Sequence, residues 1–348
     1  MNIGTLNKIL IFYVTRQQKK KKIFCYKIVI VIFTEGSGAM SIGQIFNQVV
    51  IIFLLMLLGA VIRKLGFLHP QSINDLTNIT LYFLSPIVII KAFEQPFSRS
   101  RFYQLLLLIA GVFLTYFVSI LIAKLLFHKV KDQNIRQIAT YGSIYSNNGF
   151  MGVPLAQGLF GSVGVFYAVA SMIGFNVMSW TQGIGIFQKR QPHDWGTQLK
   201  KIILNPNIIA IIIGLFLFIS SFRLPKLISG FIDYTSPAFT PLSMIVIGSN
   251  LANLSIKNIK LPTALWGSLF VRNIFFPILG TIILLLLGIT GVPLFTTVIL
   301  SACPVAGLVV LFTLQSNGDA RPATVLMSIS TILSLVTIPL VYWFASLW

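Results

Sequence analysis

The sequence predicts an all-α integral membrane protein with ten transmembrane helices in two inverted five-helix repeats and with broken, crossed helices 4 and 9. Three observations lead to this fold class: the composition, the recurrence of long apolar stretches, and prolines at matching positions in the two halves. Of the 348 residues, 56% are hydrophobic and only 9% are charged, whereas soluble domains carry about 25% charged residues. This composition excludes soluble enzymes and nucleic-acid-binding domains, although the formal net charge is +19.

The apolar stretches recur at the length that a helix needs to cross a bilayer, about 20 residues. The ten predicted spans are residues 44–64, 71–93, 103–126, 137–159, 163–187, 205–222, 228–251, 263–288, 293–315 and 322–346. With the N-terminus outside, the predicted inward loops hold more Lys and Arg than the outward loops. The positive-inside rule therefore predicts that both termini lie outside. The expected location of this multi-pass protein is the bacterial cytoplasmic membrane.

The first 39 residues do not fit this pattern and form a doubtful N-terminal leader. A basic run precedes the apolar residues 23–33, which give about 16 Å of helix, too short to cross about 30 Å of hydrocarbon. Two explanations are open: a signal-like segment, or a mis-assigned start, with Met40 as the biological first residue and a ribosome-binding-like sequence encoded by residues 35–37. The predicted organisation is a leader at 1–39, a first five-helix repeat at 40–187, a cytoplasmic inter-repeat loop at 188–204 and a second five-helix repeat at 205–348.

Four prolines occupy matching positions in the two repeats. Pro86 and Pro154 in the first half have nearly the same separation as Pro241 and Pro304 in the second half. The segments "LSPIVIIKAF" and "FTPLSMIVIG" around the first member of each pair are also alike. Because each repeat has an odd number of spans, the second copy enters the membrane inverted, which is typical of secondary transporters. The alternative is that prolines are simply frequent in membrane helices.

The stretch "SNNGFMGVPL" interrupts predicted helix 4, and Pro304 interrupts predicted helix 9 at the matching position. Non-helical backbone at membrane depth is tolerated where protein or a watery cavity covers it. Proline suits the first turn of a new half-helix, and Gly149 and Gly152 permit unusual backbone angles before Pro154. The two half-helices would then direct free N–H groups and positive dipole ends at an anion such as a carboxylate.

Side chains beside the two breaks supply further hydrogen-bond donors. Asn147 and Asn148 carry amides and Ser146 a hydroxyl, with helix capping or backbone repair as the alternative role. The predicted substrate-binding residues are Asn147, Asn148, Gly149, Ser146, Pro154, Cys303, Pro304, Ser301 and Arg272, and the predicted hinge or crossover residues are Gly152, Pro154, Pro304, Pro86 and Pro241. Neither catalytic residues nor metal ligands are predicted, since two cysteines make no metal cluster.

Arg272 lies within predicted span eight, in "SLFVRNIFFPILG". An intramembrane arginine faces protein or water rather than lipid. Three roles are open: binding a substrate carboxylate, tying carbonyls at the nearby unwound helix, or snorkelling to an interface. Asp75 and Asp233, near the starts of spans two and seven, are expected to be solvated helix caps. The alternative is that they face the cytoplasmic and the outer entrance of the transport path, respectively.

Four segments resemble the auxin efflux carrier family, which includes bacterial malate and malonate permeases and plant PIN-type auxin carriers. They are "SNNGFMGVPL", "SPAFTPLSMIVIGSNL", "LSACPVAGLVVLF" and "SNGDARPATVLMSISTILSLVTIPL", and the resemblance extends over residues 41–348. It implies crossed helices 4 and 9 at the substrate site and an elevator-type movement of spans 3–5 and 8–10 against spans 1, 2, 6 and 7. It also implies a substrate-contacting Asn147 and crossover prolines at Pro154 and Pro304, whereas Asn148 stands where a small residue or Thr is more usual.

The resulting functional expectation is a secondary active transporter, a permease of small organic anions, with a carboxylate such as malate as first choice. An enzyme is not expected, because neither a GxSG-type serine site nor an HExxH zinc site is present. The alternatives are a sodium-coupled symporter of larger amphipathic acids, similar to the bile-acid symporters, and an anion channel. The expected partners are the organic anion, the lipid bilayer and a second copy bound through the non-moving helices, but not nucleic acid. No cofactor is expected, and the coupling ion is left open between sodium and a proton.

Overall fold

The computed structural model of this chain describes residues 41–187, 203–252 and 261–348, together with the isolated residues 196 and 200. The predicted leader at 1–39 and most of the predicted inter-repeat loop at 188–204 lie outside the described residues. The described chain is helical and contains no strand, apart from one isolated antiparallel bridge between Ser146 and Val305. It is the fold of a multi-pass membrane protein.

We number the helices α1 to α12 in chain order. Before the predicted inter-repeat loop they are α1 Ile42–Lys64, α2 Pro70–Phe93, α3 Arg99–Phe127, α4 Gln133–Ile144 and α5 Asn148–Phe187. After it they are α6 Pro206–Ser220, α7 Lys226–Thr235, α8 Phe239–Leu251, α9 Thr263–Leu286, α10 Gly291–Ala302, α11 Leu308–Gln315 and α12 Arg321–Ala345. Six of them, α1, α2, α3, α5, α9 and α12, are long and apolar enough to cross a membrane, by length and composition. The count of ten spans stays a prediction.

Several helices begin where the sequence places a capping residue. The Ser41 side chain accepts a hydrogen bond from the backbone N–H of Gln44, whose side chain accepts from the Ser41 N–H, which completes a capping box. Ser98 caps α3 and Asp132 caps α4 in the same way, each accepting from an N–H three residues along. Asn205 caps α6 and is followed directly by Pro206, whose missing N–H has no helical partner to lose.

Two of the predicted hinge prolines coincide with local changes of helical pitch. In α2 a π-turn at Thr80–Leu84 precedes Pro86, and a 3₁₀ turn at Ser236–Ala238 joins α7 to α8, which contains Pro241. Proline has no N–H, so the regular hydrogen-bond ladder breaks and the preceding turn tightens or widens.

The long helix α5 bends sharply at Gly161, which has φ 58° and ψ −148°. Glycine is essentially the only residue that adopts this conformation, because glycine lacks a Cβ atom. The bend divides α5 into residues 148–160 and 162–187, at the place where the sequence separates the predicted fourth and fifth spans.

The helices pack in two groups. The scaffold group consists of α1, α2, α6, α7 and α8, in which α8 packs on α1, and α6 and α7 pack on α2. The crossover group consists of α3, α4, α5, α9, α10, α11 and α12, in which α10 packs along α5, and α9 packs on α3 and α4. Contacts between the groups run mainly through α2 and α1 against α5 and α12.

An ion cluster fastens α2 to α7 within the scaffold group. Lys91 Nζ lies 2.5 Å from Asp233 Oδ1 and 3.1 Å from Glu94 Oε2, and the Ser229 hydroxyl donates to Glu94 Oε1 at 2.5 Å. Asp233 is exposed to solvent, as expected, but it does not cap its helix: it lies within α7 and pairs with a cation of the neighbouring helix. Asp75 is likewise exposed but does not cap its helix: it lies within α2 and accepts a 3.3 Å hydrogen bond from the side chain of Gln71.

Small residues allow α1 and α8 to approach closely. A Cβ atom on Gly248 would collide with the Met56 carbonyl, and one on Gly59 would collide with the backbone of Ile245. The Ser249 hydroxyl donates to the Gly59 carbonyl at 3.0 Å across the same contact. Helices in lipid associate through such close backbone approach and interhelical hydrogen bonds, because apolar burial supplies little driving force there.

We therefore expect Gly248→Ala to separate α1 from α8 and to destabilise the protein by about 1–3 kcal/mol through overpacking. Gly230→Ala is the matched control, because a Cβ atom at this position of α7 meets nothing within 4 Å. Thermal unfolding of both purified variants in one detergent checks this. Equal midpoints for the two variants would show that the close approach is not needed.

Candidate substrate site

Two interrupted helices meet at the centre of the crossover group. The helix α4 ends at Ile144 and α5 begins at Asn148, while α10 ends at Ala302 and α11 begins at Leu308. The intervening segments, residues 145–147 and 303–307, run antiparallel. They pair through two backbone hydrogen bonds, from Asn147 N to Pro304 O at 2.8 Å and from Ala306 N to Tyr145 O at 3.0 Å. Each break thus satisfies backbone groups of the other, and we call this pairing the crossover.

The prolines and glycines near the crossover match their predicted roles only in part. Pro304 lies in the extended segment rather than in the first turn of a half-helix. Pro154 does lie in the first α-helical turn of α5, directly after a π-turn at Asn148–Gly152. Neither Gly149 nor Gly152 has a positive φ, so the expectation of unusual backbone angles is wrong. Gly152 is needed for space, because a Cβ atom there would lie 2.7 Å from Leu300 Cγ of α10.

The buried side chains of Ser330 and Asn273 stabilise the crossover through hydrogen bonds, and we call this pair the brace. The backbone N–H of Val305 donates to Ser330 Oγ at 3.0 Å, and the Ser330 hydroxyl donates to Asn273 Oδ1 at 2.7 Å. Asn273 Nδ2 in turn donates to the Ser330 carbonyl at 3.0 Å. Neither residue was predicted from the sequence. The available signal was a polar Asn beside Arg272 in an otherwise apolar span.

Arg272 ties together the last turns of the two helices that enter the crossover. Its Nη1 donates to the Ile144 carbonyl of α4 at 2.5 Å, and its Nη2 donates to the Ser301 carbonyl of α10. The residue is only 3% exposed, which excludes snorkelling to an interface. Of the three open roles, the structure shows the binding of carbonyls at the unwound helices.

A cavity of about 450 Å³ opens beside the crossover and is lined by both helix groups. Its polar side chains are mostly amides, from Asn147, Asn148, Asn176, Asn205, Asn207 and Asn250. Its aromatic wall consists of Tyr82, Phe150, Phe175 and Trp180. None of the described residues that line it is Lys, Arg, His, Asp or Glu. The first turns of α5 and α11 line the same space, at Gly149 and at Gly307 and Leu308, so two positive helix ends lie at the cavity.

A second cavity, of about 40 Å³, also borders the crossover, and its described lining comes from the crossover group alone. Tyr116, Ser146, Asn148, Arg272 and Ser301 contribute to its lining. Its volume suits water rather than an organic substrate. The predicted residues Ser146, Ser301 and Arg272 therefore lie away from the larger cavity.

Asn147 and Asn148 have different environments. Asn147 lines the larger cavity, and its Oδ1 accepts from the Phe150 N–H at 3.3 Å, as a helix cap does. The described contacts include none for its Nδ2 amide, which leaves that donor available to a ligand. The Asn148 amide is engaged by protein, since Nδ2 donates to the Ser171 carbonyl at 3.2 Å and Oδ1 accepts from the Ser146 hydroxyl at 2.7 Å.

The other predicted residues take different positions. Gly149 lines the larger cavity and has no neighbour within 4 Å of a Cβ position. Cys303 is fully buried, and its thiol donates to the Ile299 carbonyl at 3.4 Å. Four asparagines of the cavity were not predicted: Asn176, Asn205, Asn207 and Asn250. Because they come from three different helices or their caps, no local spacing in the sequence brings them together.

Comparison with known proteins agrees with this geometry. The model of the membrane transport protein family, Mem_trans, matches residues 44–194 and 195–342. The chain belongs to this family. The resemblance to auxin efflux carriers is thereby confirmed, and the protein is a membrane transporter rather than a soluble protein.

Two archaeal relatives have the same extent. An uncharacterized transporter of Methanocaldococcus jannaschii is 28% identical over 309 residues, which cover 85% of this chain and 97% of the relative. An uncharacterized transporter of Methanothermobacter thermautotrophicus is 26% identical over 296 residues, covering 84% and 96% respectively. The similarity therefore spans both helix groups and both interrupted helices.

We expect Ser330→Ala to loosen the crossover, because it leaves the buried Val305 N–H without its acceptor. The expected loss of stability is about 1–3 kcal/mol. The matched control is Ser328→Ala, which removes a buried hydroxyl of the same helix that donates only to the Thr324 carbonyl; we expect a change within about 0.5 kcal/mol. Unfolding midpoints measured in one detergent compare the two variants. A Ser328→Ala loss as large as that of Ser330→Ala would remove the special role of the brace.

Proposed function

We propose that this transporter is a secondary carrier of small organic anions that binds its substrate in the larger cavity, against the crossover. The observation that carries the proposal is the convergence of the two positive helix ends, at α5 and α11, on an amide-lined cavity between the two helix groups. Helix N-termini favour anions through their free N–H groups and their dipoles. Discontinuous helices that present such ends to a substrate carboxylate are the usual device of secondary transporters.

The mechanism that we propose is elevator-type alternating access. The two interrupted helices and their braces lie wholly within the crossover group, while α2, α6 and α8 of the scaffold group close the cavity from the other side. A movement of the crossover group against the scaffold group would carry the bound anion with it. The ten spans, the two inverted repeats, both termini outside, the cytoplasmic membrane and a homodimer through the scaffold group belong to this proposal.

The lining of the cavity favours a substrate with one negative charge and an apolar body. A buried charge is costly unless it is paired or well hydrogen-bonded. The cavity offers amide and helix-end donors for one carboxylate, but none of its described lining residues is a cationic side chain that could neutralise a second. The aromatic wall suits an apolar body. A dicarboxylate such as malate, the first choice from sequence, is therefore the less favoured substrate class.

A sodium-coupled symporter of larger amphipathic acids is the second candidate. The cavity volume of about 450 Å³ lies within the usual range for drug-sized ligands, about 300–1,000 Å³. Bulky acids would fit the same aromatic wall, and a sodium requirement would distinguish this candidate.

The substrate class can be measured with purified protein in liposomes, using labelled malate, malonate, lactate and indole-acetate under imposed sodium or proton gradients. We expect the amphipathic monocarboxylate to be taken up most rapidly, because it places one charge at the helix ends and its ring against the aromatic wall. Protein-free liposomes are the control. Saturable uptake of malate or malonate in preference to both monocarboxylates would contradict the charge argument, and no uptake of any acid would contradict the proposed function.

Asn147 variants test the position of the site. Asn147→Ala removes both the cap oxygen, worth about 1 kcal/mol, and the amide donor. Asn147→Asp keeps an oxygen for the Phe150 N–H but replaces the donor by a negative charge. We expect both variants to insert in the membrane and to lose uptake by about ten-fold or more, with Asn147→Asp at least as defective.

The control for these variants is Asn134→Ala, because the Asn134 amide donates to the Asp319 carbonyl, away from the cavity. Uptake by the folded control should stay close to that of the wild type. If Asn147→Asp transports the anion at the wild-type rate, the amide donor of Asn147 has no part in binding.

A further inference from the structure

Arg272 carries a buried positive charge with no acidic partner among the described residues. The ion pairs found there are Lys91 with Glu94 and Asp233, and Arg321 with Asp319. Arg272 is 3% exposed, and every hydrogen bond described for it goes to a backbone carbonyl. Its charge is therefore balanced by peptide dipoles and not by a carboxylate.

The carbonyls that Arg272 binds belong to the negative ends of two helices. Ile144 is the last residue of α4, and Ser301 is the next-to-last residue of α10. Each helix C-terminus carries about half an elementary negative charge. Two such ends held together therefore correspond to about one negative charge, which a single guanidinium balances.

From this geometry we infer that Arg272 is the resident counter-cation of the crossover, and that it fills the place where a sodium-coupled carrier would hold its ion. Carbonyl oxygens at unwound helices and half-helix C-termini are the groups that coordinate sodium in secondary transporters. Here Arg272 already binds the Ile144 and Ser301 carbonyls, and its charge cancels the negative potential that would attract a second cation. Anion uptake is therefore independent of sodium. This inference rests on the proposed function.

Cancelling this negative charge also favours the anion. The smaller cavity, which Arg272 lines, and the larger cavity share Asn148, so the two helix C-termini lie near the proposed anion site. Without the guanidinium their negative charge would act on a bound anion over several ångströms, because the dielectric inside a protein is low. Arg272 is thus a positioning residue, and its charge matters as well as its hydrogen bonds.

The experiment compares Arg272→Lys, which keeps the charge, with Arg272→Gln, which keeps a hydrogen-bonding side chain but loses the charge. Uptake of the best anion is measured in liposomes with sodium, potassium or choline as the only added cation. We expect wild-type uptake to be equal in the three salts and Arg272→Lys to keep most of it. We expect Arg272→Gln to lose about ten-fold or more in every salt. Arg321→Gln, which removes an exposed charge outside the crossover, is the control.

Arg272→Ala provides a test that needs no transport. It leaves a space in which a small cation could replace the side chain. In detergent, low-millimolar guanidinium should raise the unfolding midpoint of this variant, whereas urea, which is neutral and of similar shape, should not. The wild-type midpoint should respond to neither at these concentrations.

The two results separate the failure of this inference from the failure of the proposed function. An absolute sodium requirement in the wild type, or full activity of Arg272→Gln in choline, would overturn the resident counter-cation. So would equal stabilisation of Arg272→Ala by guanidinium and urea, or no stabilisation by either.

If no acid is transported at all, the proposed function fails, and the melting experiment still decides the role of Arg272. If Arg272→Ala does not fold, guanidinium added during membrane extraction should recover folded protein, and its failure to do so counts against the inference.

Discussion

The pairing of the two unwound segments is the constraint on which the rest of this structure depends. A lipid bilayer offers no water to an exposed peptide group, so a helix can be interrupted there only if other protein groups replace the lost hydrogen bonds. The segment 145–147 and the segment 303–307 supply this replacement to each other, through Asn147 with Pro304 and Ala306 with Tyr145. Proline fits at position 304 because its carbonyl is used in the pairing, while its missing N–H has nothing to bind.

The crossover is electrically polarised, and its two sides differ in chemistry. On one side the C-termini of α4 and α10 present carbonyls to the guanidinium of Arg272. On the other side the N-termini of α5 and α11 face the larger cavity. A single backbone arrangement therefore places carbonyl ends around Arg272 and positive helix ends at the cavity that we propose to bind the anion.

Neutral amides and aromatic rings line the cavity that we propose as the anion site. Amides can orient a carboxylate without adding a charge that would need desolvation in every state of the carrier. The lining comes from both helix groups, with Asn147 and Gly149 from one and Asn207 and Asn250 from the other. A relative movement of the groups would therefore change the site on one side while its crossover side stays intact.

The composition and the spacing of apolar stretches are local properties, and for this reason they predicted the membrane class, the helical fold and the interruptions near Asn147 and Pro304. Family resemblance could likewise be recognised from short segments. The position of the breaks within these segments, the engagement of Asn148 by Ser171 and Ser146, and the choice among three roles for Arg272 depended on packing between distant helices. The same holds for Ser330, Asn273 and the four additional asparagines, because their partners lie on other helices. A hydrogen bond between residues far apart in the chain leaves no periodic trace in the sequence, so only the folded arrangement could show which polar groups were already satisfied and which remained free for a substrate.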